Sequence, residues 1–346
     1  MKKVLYIQPI HAAGMDMLRE KYNVVVANNE DKAFLMEAVK DASAIVTRLT
    51  DVDKDIIAAG TKLEAIAKNG IGVDNINVAE ANARGIAVLT TGHANTWSVA
   101  EHTMFAVGAL YKRLTYFDNA MHDGNWKCRD EGGFTDVEGQ VFGIVGLGRI
   151  GQMVAELAKA FRMEVLVFDP FLPREKIEGM GCRWAESFDE LCRQADVISL
   201  HMPLTPENTR MINDRSLSLM KPTAFVINFS RGMMVDLDAL YRALSEKKIA
   251  GAALDAFTPE PPDFSHPIYK LDNVLLSPHT AGISEAPPDV HSGGKGHRRC
   301  AQRPRSRVLR QQDGNLPCAV KRLHPPVKAN STASADGRHG RGCLFM

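Results

Sequence analysis

Gly146, Gly148 and Gly151 fall at the spacing G-x-G-x-x-G, directly after an apolar run, Val141–Val145, and ahead of a helical pattern over Gln152–Phe161. Few short patterns restrict a fold so tightly, because each glycine has its own mechanical duty. Gly146 permits the tight turn out of the strand, Gly148 lets the backbone approach a pyrophosphate, and Gly151 lets the helix pack on the strand. The helix N-terminus, at Arg149 and Ile150, offers phosphates free N–H groups and the positive end of a helix dipole. Asp169 ends the next apolar run, 21 residues beyond Gly148. A carboxylate there accepts hydrogen bonds from an adenosine ribose and repels a 2′-phosphate, so the pattern points to NAD rather than NADP as the cofactor. A plain glycine-rich turn would explain the glycines alone, but not strand, helix, second strand and acid in this order.

The motif lies in the second of two alternating patterns. In the first, β-branched runs at 4–7, 24–27, 44–46, 63–67 and 86–89 are separated by candidate helices near 12–21, 31–40, 53–60 and 76–83. A longer candidate helix near 98–113 and a glycine-rich polar stretch at 122–139 follow. In the second, strands at 141–145, 164–168, 197–201, 224–228, 251–254 and 274–276 alternate with helices near 149–161, 186–193, 213–219 and 236–247. Such alternation predicts an α/β protein with parallel sheets covered on both faces. The expected architecture is two doubly wound domains, residues 1–97 and 98–282. A chain of 346 residues, 45% of them hydrophobic, is long enough for two cores.

No run approaches 18 consecutive apolar residues, so no membrane helix is expected. The first apolar run, after Met1-Lys2-Lys3, stops at Gln8-Pro9 and is too short for a secretory signal. Cys128, Cys182 and Cys192 are scattered without metal-ligand spacing. No metal is expected, and the reading places the chain in a reducing cytoplasm.

The net charge of +1 conceals an asymmetry. Residues 287–346 hold 12 Lys or Arg against three Asp and no Glu, which leaves 30 basic and 38 acidic residues in 1–286. Hydrophobic periodicity ends at Pro287-Pro288. Composition predicts a disordered basic tail over 283–346. Basic tails find phosphates, but a single aromatic residue, Phe345, gives bases nothing to stack on, so nucleic acid is not expected as a partner.

Seven segments, the glycine loop among them, give the chain a family resemblance. They are Lys68-Asn69-Gly70-Ile71-Gly72-Val73-Asp74-Asn75-Ile76, Ser98-Val99-Ala100-Glu101-His102, the Gly146–Gly151 loop, His201-Met202-Pro203-Leu204-Thr205-Pro206, Asn228-Phe229-Ser230-Arg231-Gly232, Leu254-Asp255-Ala256-Phe257 and Ser277-Pro278-His279-Thr280-Ala281-Gly282. Over about residues 1–286 the sequence resembles the D-isomer-specific 2-hydroxyacid dehydrogenases. The resemblance implies a homodimer of two-domain subunits, with a 2-oxo or 2-hydroxy acid bound in the cleft between the domains. It also implies a catalytic Arg231, Glu260 and His279.

The chemistry asks for these residue types. Hydride arriving at a 2-oxo acid puts negative charge on the carbonyl oxygen, which a nearby imidazolium can protonate. A carboxylate holds that imidazole's tautomer and favours its charged form. An arginine grips the substrate carboxylate with two parallel hydrogen bonds. The blander alternatives are a solvated loop acid at Glu260 and a surface arginine at Arg231.

The resemblance further assigns cofactor contacts to Pro203, Thr209, Phe229, Ser230, Asp255 and Gly282, with Asp255 at the nicotinamide carboxamide. Arg48 and the backbone of Gly70, Ile71 and Gly72 would face the substrate acid group. Phe229 is larger than the family's usual residue and would tighten the cofactor pocket. Arg48 is the one cation in Thr47-Arg48-Leu49-Thr50, where phosphoglycerate-type enzymes carry more, and Lys68 could compensate.

In the family, a helix follows the His279 segment and packs back on the first domain, but Pro287-Pro288 forbids a helix interior here. The expectation is that residues from about 287 are translated out of frame, with a genuine extension as the alternative. A non-enzymatic NAD-sensing corepressor and an inactive, damaged product are the competing functional readings.

Overall fold

The computed structural model describes residues 1–10, 12–92 and 94–284, all within one compact unit. The expectations for the tail, its disorder, its frame and its missing helix, lie outside the described residues, apart from 283 and 284. Five strands, β1 (Lys3–Tyr6), β2 (Asn23–Val26), β3 (Ala42–Thr47), β4 (Ala65–Lys68) and β5 (Ala87–Thr90), form a parallel sheet in the order β2-β1-β3-β4-β5. The intervening helices are α1 (Ala12–Arg19), α2 (Lys32–Ala38), α3 (Lys54–Ala59) and α4 (Val78–Ala83).

The twofold alternation of a strand decides how this sheet is covered. In β1 and the residue after it, Leu5 and Ile7 join a cluster with Leu35 of α2 and Ile56 and Ile57 of α3, while Val4 and Tyr6 turn to the other face and meet Met15 of α1. Asp53 and Asn77 cap α3 and α4 by accepting backbone N–H bonds, which fixes where each helix starts.

The chain crosses to the second sheet through α5 (Thr96–Tyr111) and α6 (Leu114–His122). There β6 (Val141–Val145), β7 (Glu164–Phe168), β8 (Arg183–Trp184), β9 (Val197–Leu200), β10 (Phe225–Asn228), β11 (Gly251–Leu254) and β12 (Val274–Leu276) form a seven-stranded parallel sheet, in the order β12-β11-β10-β9-β6-β7-β8. Its helices are α7 (Arg149–Ala160), α8 (Arg174–Gly179), α9 (Phe188–Gln194), α10 (Asp214–Leu219) and α11 (Leu237–Ser245). Phe142 and Ile144 face α5 and α7, and Val145, Leu200 and Val226 face α9, α10 and α11. Both sheets are therefore doubly wound, the α/β class that the alternation predicts.

Three elements escaped the sequence pattern. Of these, α6 buries only Ala120, α8 buries only Ile177, and β8 is two residues long. The polar stretch at 122–139 also contains a short 3-10 helix, Trp126–Asp130, anchored by buried Cys128. No described helix is long and apolar enough to cross a membrane.

Chain order reverses at two places, between β1 and its neighbours and between β6 and its neighbours. In open α/β sheets ligands bind at the carboxyl ends of strands at such switch points. The loop Gly146–Gly151 leaves β6 at one of them. Gln8, two residues past β1, lies at the other, where its Oε1 accepts the N–H groups of Arg48 and Leu49 at 3.1 and 2.7 Å.

Candidate active site

The glycine loop has the shape a pyrophosphate needs. Gly146 adopts φ +92°, a left-handed conformation, and a Cβ there would lie 2.4 Å from Met202 Cγ. A Cβ on Gly151 would lie 2.2 Å from the Gly146 carbonyl oxygen, so α7 approaches β6 as closely as it can. Over Gly148, by contrast, nothing lies within 4 Å, and no side chain caps the first turn of α7 at Arg149 and Ile150. The loop is open over Gly148 and tightly packed at Gly146 and Gly151.

Asp169 closes the cradle's side. Its Oδ2 accepts the Leu147 N–H at 2.8 Å, and its Oδ1 accepts those of Phe171 and Leu172 at 2.9 and 3.1 Å. Three backbone donors thus aim the carboxylate, which remains half-buried. Pro203 is exposed, and its carbonyl accepts from Asn208 Nδ2. Thr209 is also exposed, with its Oγ1 bonded to the Thr205 carbonyl.

Beneath the loop, His201 is desolvated, and this burial pushes its imidazole pKa from 6.5 down to about 4. Its Nε2 meets Ser199 Oγ at 2.9 Å. The unfolded chain binds this proton more readily than the folded one, so His201 lowers stability as pH falls from 6.5 towards 4. At about 1.4 kcal/mol per pKa unit the loss reaches roughly 3 kcal/mol. Denaturant midpoints measured between pH 7 and 4 should fall more steeply for the native chain than for His201→Gln; equal slopes would contradict this.

Arg231, Glu260 and His279 come together past the ends of β10, β11 and β12. His279 Nδ1 meets both Glu260 oxygens, at 2.9 and 2.7 Å, and Glu260 Oε1 also accepts the Phe257 N–H at 2.9 Å. Burial pushes the Glu260 carboxyl upward, but the bonds from His279 and Phe257 and the charges of His279 and Arg231 bring it below its ordinary value. A carboxylate that accepts from Nδ1 holds a proton there and leaves Nε2 for a substrate. His279 itself sits at φ +54°, a backbone state that costs a residue with a Cβ about 1–2 kcal/mol. Asp255 supports it: buried to 1% exposure, its carboxylate accepts from Ser277 Oγ (2.6 Å), Thr280 N (2.8 Å) and Ala281 N (2.9 Å).

Arg231 is held from both sheets. Buried Asn228 shapes its turn, accepting from Ser230 N and Oγ and donating to the Arg231 carbonyl. Across the cleft, Arg231 Nε donates to Asp74 Oδ2 at 2.6 Å, and its guanidinium lies over Gly72, where a Cβ would come within 1.3 Å of Nη2. Gly232 lets the 257–260 loop close in, since a Cβ there would lie 2.1 Å from the Phe257 carbonyl carbon.

The first-sheet residues line the same region. Gly70 (φ +155°), Ile71 (38% exposed) and Gly72 follow β4, and Arg48 follows β3. Lys68 bonds the Arg48 carbonyl and Asn75 Oδ1, so it braces the Arg48 loop. Burial, and then the Arg231 charge, push its ammonium down to about 8 against the pull of Asp74, Asp51 and Glu260. Phe229 sets its ring edge-on against His102, with centroids 4.9 Å apart, and Gly282 packs against the Asn95 side chain. Sequence reasoning did not single out Asp74, Asn228, His102 or Ser277. Each lies inside a quoted motif, but its partner is distant in sequence or is backbone.

Residues 104–281 match the family model described as the D-isomer specific 2-hydroxyacid dehydrogenase NAD binding domain. A D-3-phosphoglycerate dehydrogenase of Methanocaldococcus jannaschii is 40% identical over 288 residues, covering 82% of this chain and 54% of that protein. A glyoxylate reductase of Korarchaeum cryptofilum is 37% identical over 290 residues, covering 82% of this chain and 87% of that one. The chain belongs to the D-isomer-specific 2-hydroxyacid dehydrogenase family. The match spans only about half the length of the phosphoglycerate dehydrogenases. Among solved structures, a D-lactate dehydrogenase from Aquifex aeolicus complexed with NAD and lactic acid is similar, with a TM-score of 0.75 at 28% identity, covering 82% of this chain and 90% of that one. The family's NAD-binding domain therefore coincides with the sheet that carries the glycine cradle.

Proposed function

We propose that the chain is an NAD-dependent oxidoreductase that interconverts a 2-oxo acid and a D-2-hydroxy acid. The carrying observation is the His279–Glu260 pair beside an Arg231 clamped between the sheets. In this reading residues 1–97 bind substrate and 98–282 bind cofactor. NAD would lie along Gly146–Gly151, Asp169, Pro203, Thr209, Phe229, Ser230, Asp255 and Gly282, and when bound as NADH it supplies the hydride.

Arg231 pairs with the substrate carboxylate and draws electron density from the adjacent carbonyl. The imidazolium of His279 gives its Nε2 proton to the carbonyl oxygen, and Glu260 steadies the charge on that ring. Arg48 and the Gly70–Gly72 backbone receive the rest of the acid.

The phosphoglycerate- and hydroxypyruvate-type substrates differ in charge. Because the Lys68 ammonium is spent on Arg48 and Asn75, the reading favours an unphosphorylated acid of the hydroxypyruvate or glyoxylate type. NADH oxidation measured against glyoxylate, hydroxypyruvate, phosphohydroxypyruvate, pyruvate and 2-oxoglutarate ranks them. A kcat/KM highest for phosphohydroxypyruvate would overturn the substrate preference, and NADH binding without turnover would favour a cofactor-sensing regulator.

Asp169→Ser removes the charge that a 2′-phosphate would meet. Like-charge contacts cost several kcal/mol, so the NADPH-to-NADH ratio of kcat/KM should rise at least about tenfold. An unchanged ratio would show that Asp169 does not choose the cofactor.

A homodimer belongs to the same reading. Trp97, Phe105, Leu114, Met121 and Trp126 are large, exposed apolar residues along α5, α6 and the 3-10 turn that follows. Phe105 is 74% exposed on a helix whose other side is core. Such surfaces mark association sites. Light scattering should find a dimer that Phe105→Glu converts to monomer; a monomeric native chain would contradict it. A cytoplasmic setting fits the buried, free thiols of Cys128, Cys182 and Cys192.

A further inference from the structure

We propose that His102 is a positioning residue for His279, acting through Ser277 and Asp255; the proposal rests on reading His279 as the proton donor. Ser277 Oγ has one proton, which it donates to Asp255 Oδ1 at 2.6 Å. The contact of His102 Nε2 with Ser277 Oγ, at 3.2 Å, therefore has the imidazole as donor. The chain of bonds continues through the Asp255 carboxylate to the N–H groups of Thr280 and Ala281, the two residues after His279. These bonds hold the segment in which His279 keeps its left-handed φ of +54°.

Three contacts tie α5 and its N-terminal cap to this segment. The Asn95 side chain lies against Gly282, Ser98 Oγ bonds Ser284 Oγ at 3.2 Å, and His102 reaches Ser277. His102 is the only one of the three whose bond leads on to Asp255. Phe229 packs T-shaped against its ring, with an interplanar angle of 72°. A side chain whose hydrogen bond goes to Ser277 thus sets the loop that carries the proton donor. Outer partners of this kind orient a functional histidine in metal sites by the same logic.

The test compares the full-length native chain with His102→Leu, which has no donor, and His102→Gln, which keeps one. Amide hydrogen exchange at Thr280 and Ala281 is read without cofactor, and kcat and KM are read with NADH and a 2-oxo acid. Loss of one hydrogen bond in this chain should speed exchange at both amides about tenfold in His102→Leu. It should lower kcat by a similar factor of about ten, with KM for the acid changed less than about twofold. His102→Gln should recover most of both effects.

Unchanged exchange in His102→Leu would overturn the proposal, as would His102→Gln behaving like His102→Leu in both readings. Absence of turnover by the native chain would count against the proposed reaction instead, and the exchange measurement would then decide the positioning role alone.

Discussion

Replacing His279 with asparagine should lower kcat about a thousandfold while leaving the fold and NADH affinity intact, because proton delivery by a positioned side chain contributes roughly 10²–10⁴. Asparagine is the informative choice because it tolerates the left-handed backbone that His279 adopts at φ +54°. A bulkier or β-branched residue would confound loss of the proton donor with strain in the loop. The expected pattern is a kcat effect, since protonation of the carbonyl oxygen is needed in the transition state and not for binding. Steady-state kinetics with thermal melting of the same sample separates the two. A His279→Asn enzyme with kcat within tenfold of the native one would remove His279 from the reaction.

Gly72→Ala should reduce kcat/KM about a hundredfold without loss of stability. The added Cβ would fall 1.3 Å from Arg231 Nη2 and 2.6 Å from Cζ, and among its near neighbours only side-chain atoms are met. The guanidinium is the end of a flexible side chain, so it moves aside and the backbone does not. That movement draws Arg231 from Asp74 and misplaces the group expected to grip the substrate acid. A misplacement of about 1 Å in a positioning group costs on the order of 10² in rate. A melting temperature unchanged to within a few degrees, beside lost kcat/KM, is the expected result; native activity would show that Arg231 need not lie over Gly72. Gly232 makes the contrast clear, because its missing Cβ faces Phe257 backbone, which cannot swing away.

Much of this arrangement was legible in the sequence, for identifiable reasons. The two parallel sheets follow from apolar runs whose alternate residues are buried on opposite faces, as in Leu5 and Ile7 against Val4 and Tyr6. The cradle follows from glycines that must be glycines: Gly146 has a left-handed φ, and Gly151 touches the Gly146 carbonyl. The elements that the pattern missed, α6, α8 and β8, bury one residue or none and so carry no periodicity to read.

At the site, the family resemblance drew attention to Arg231, Glu260 and His279, and their residue types and their place near strand ends at a sheet's carboxyl edge agree with it. Their supports were not visible in the same way. The Arg231–Asp74 contact joins residues 157 positions apart, and no local pattern encodes it. Asn228 and Asp255 are buried polar groups that serve neighbouring backbone, a role that depends on turn geometry rather than on spacing.

The central claim is that this cleft reduces a 2-oxo acid with NADH and that His279 delivers the proton. The most direct measurement follows NADH oxidation by hydroxypyruvate and glyoxylate in the native chain and in His279→Asn, with NADH binding monitored by fluorescence in both. The account predicts that both bind NADH equally, that the native chain turns over at least one of the two acids, and that the variant is about a thousandfold slower. Equal NADH binding with no turnover of either acid by the native chain would contradict it.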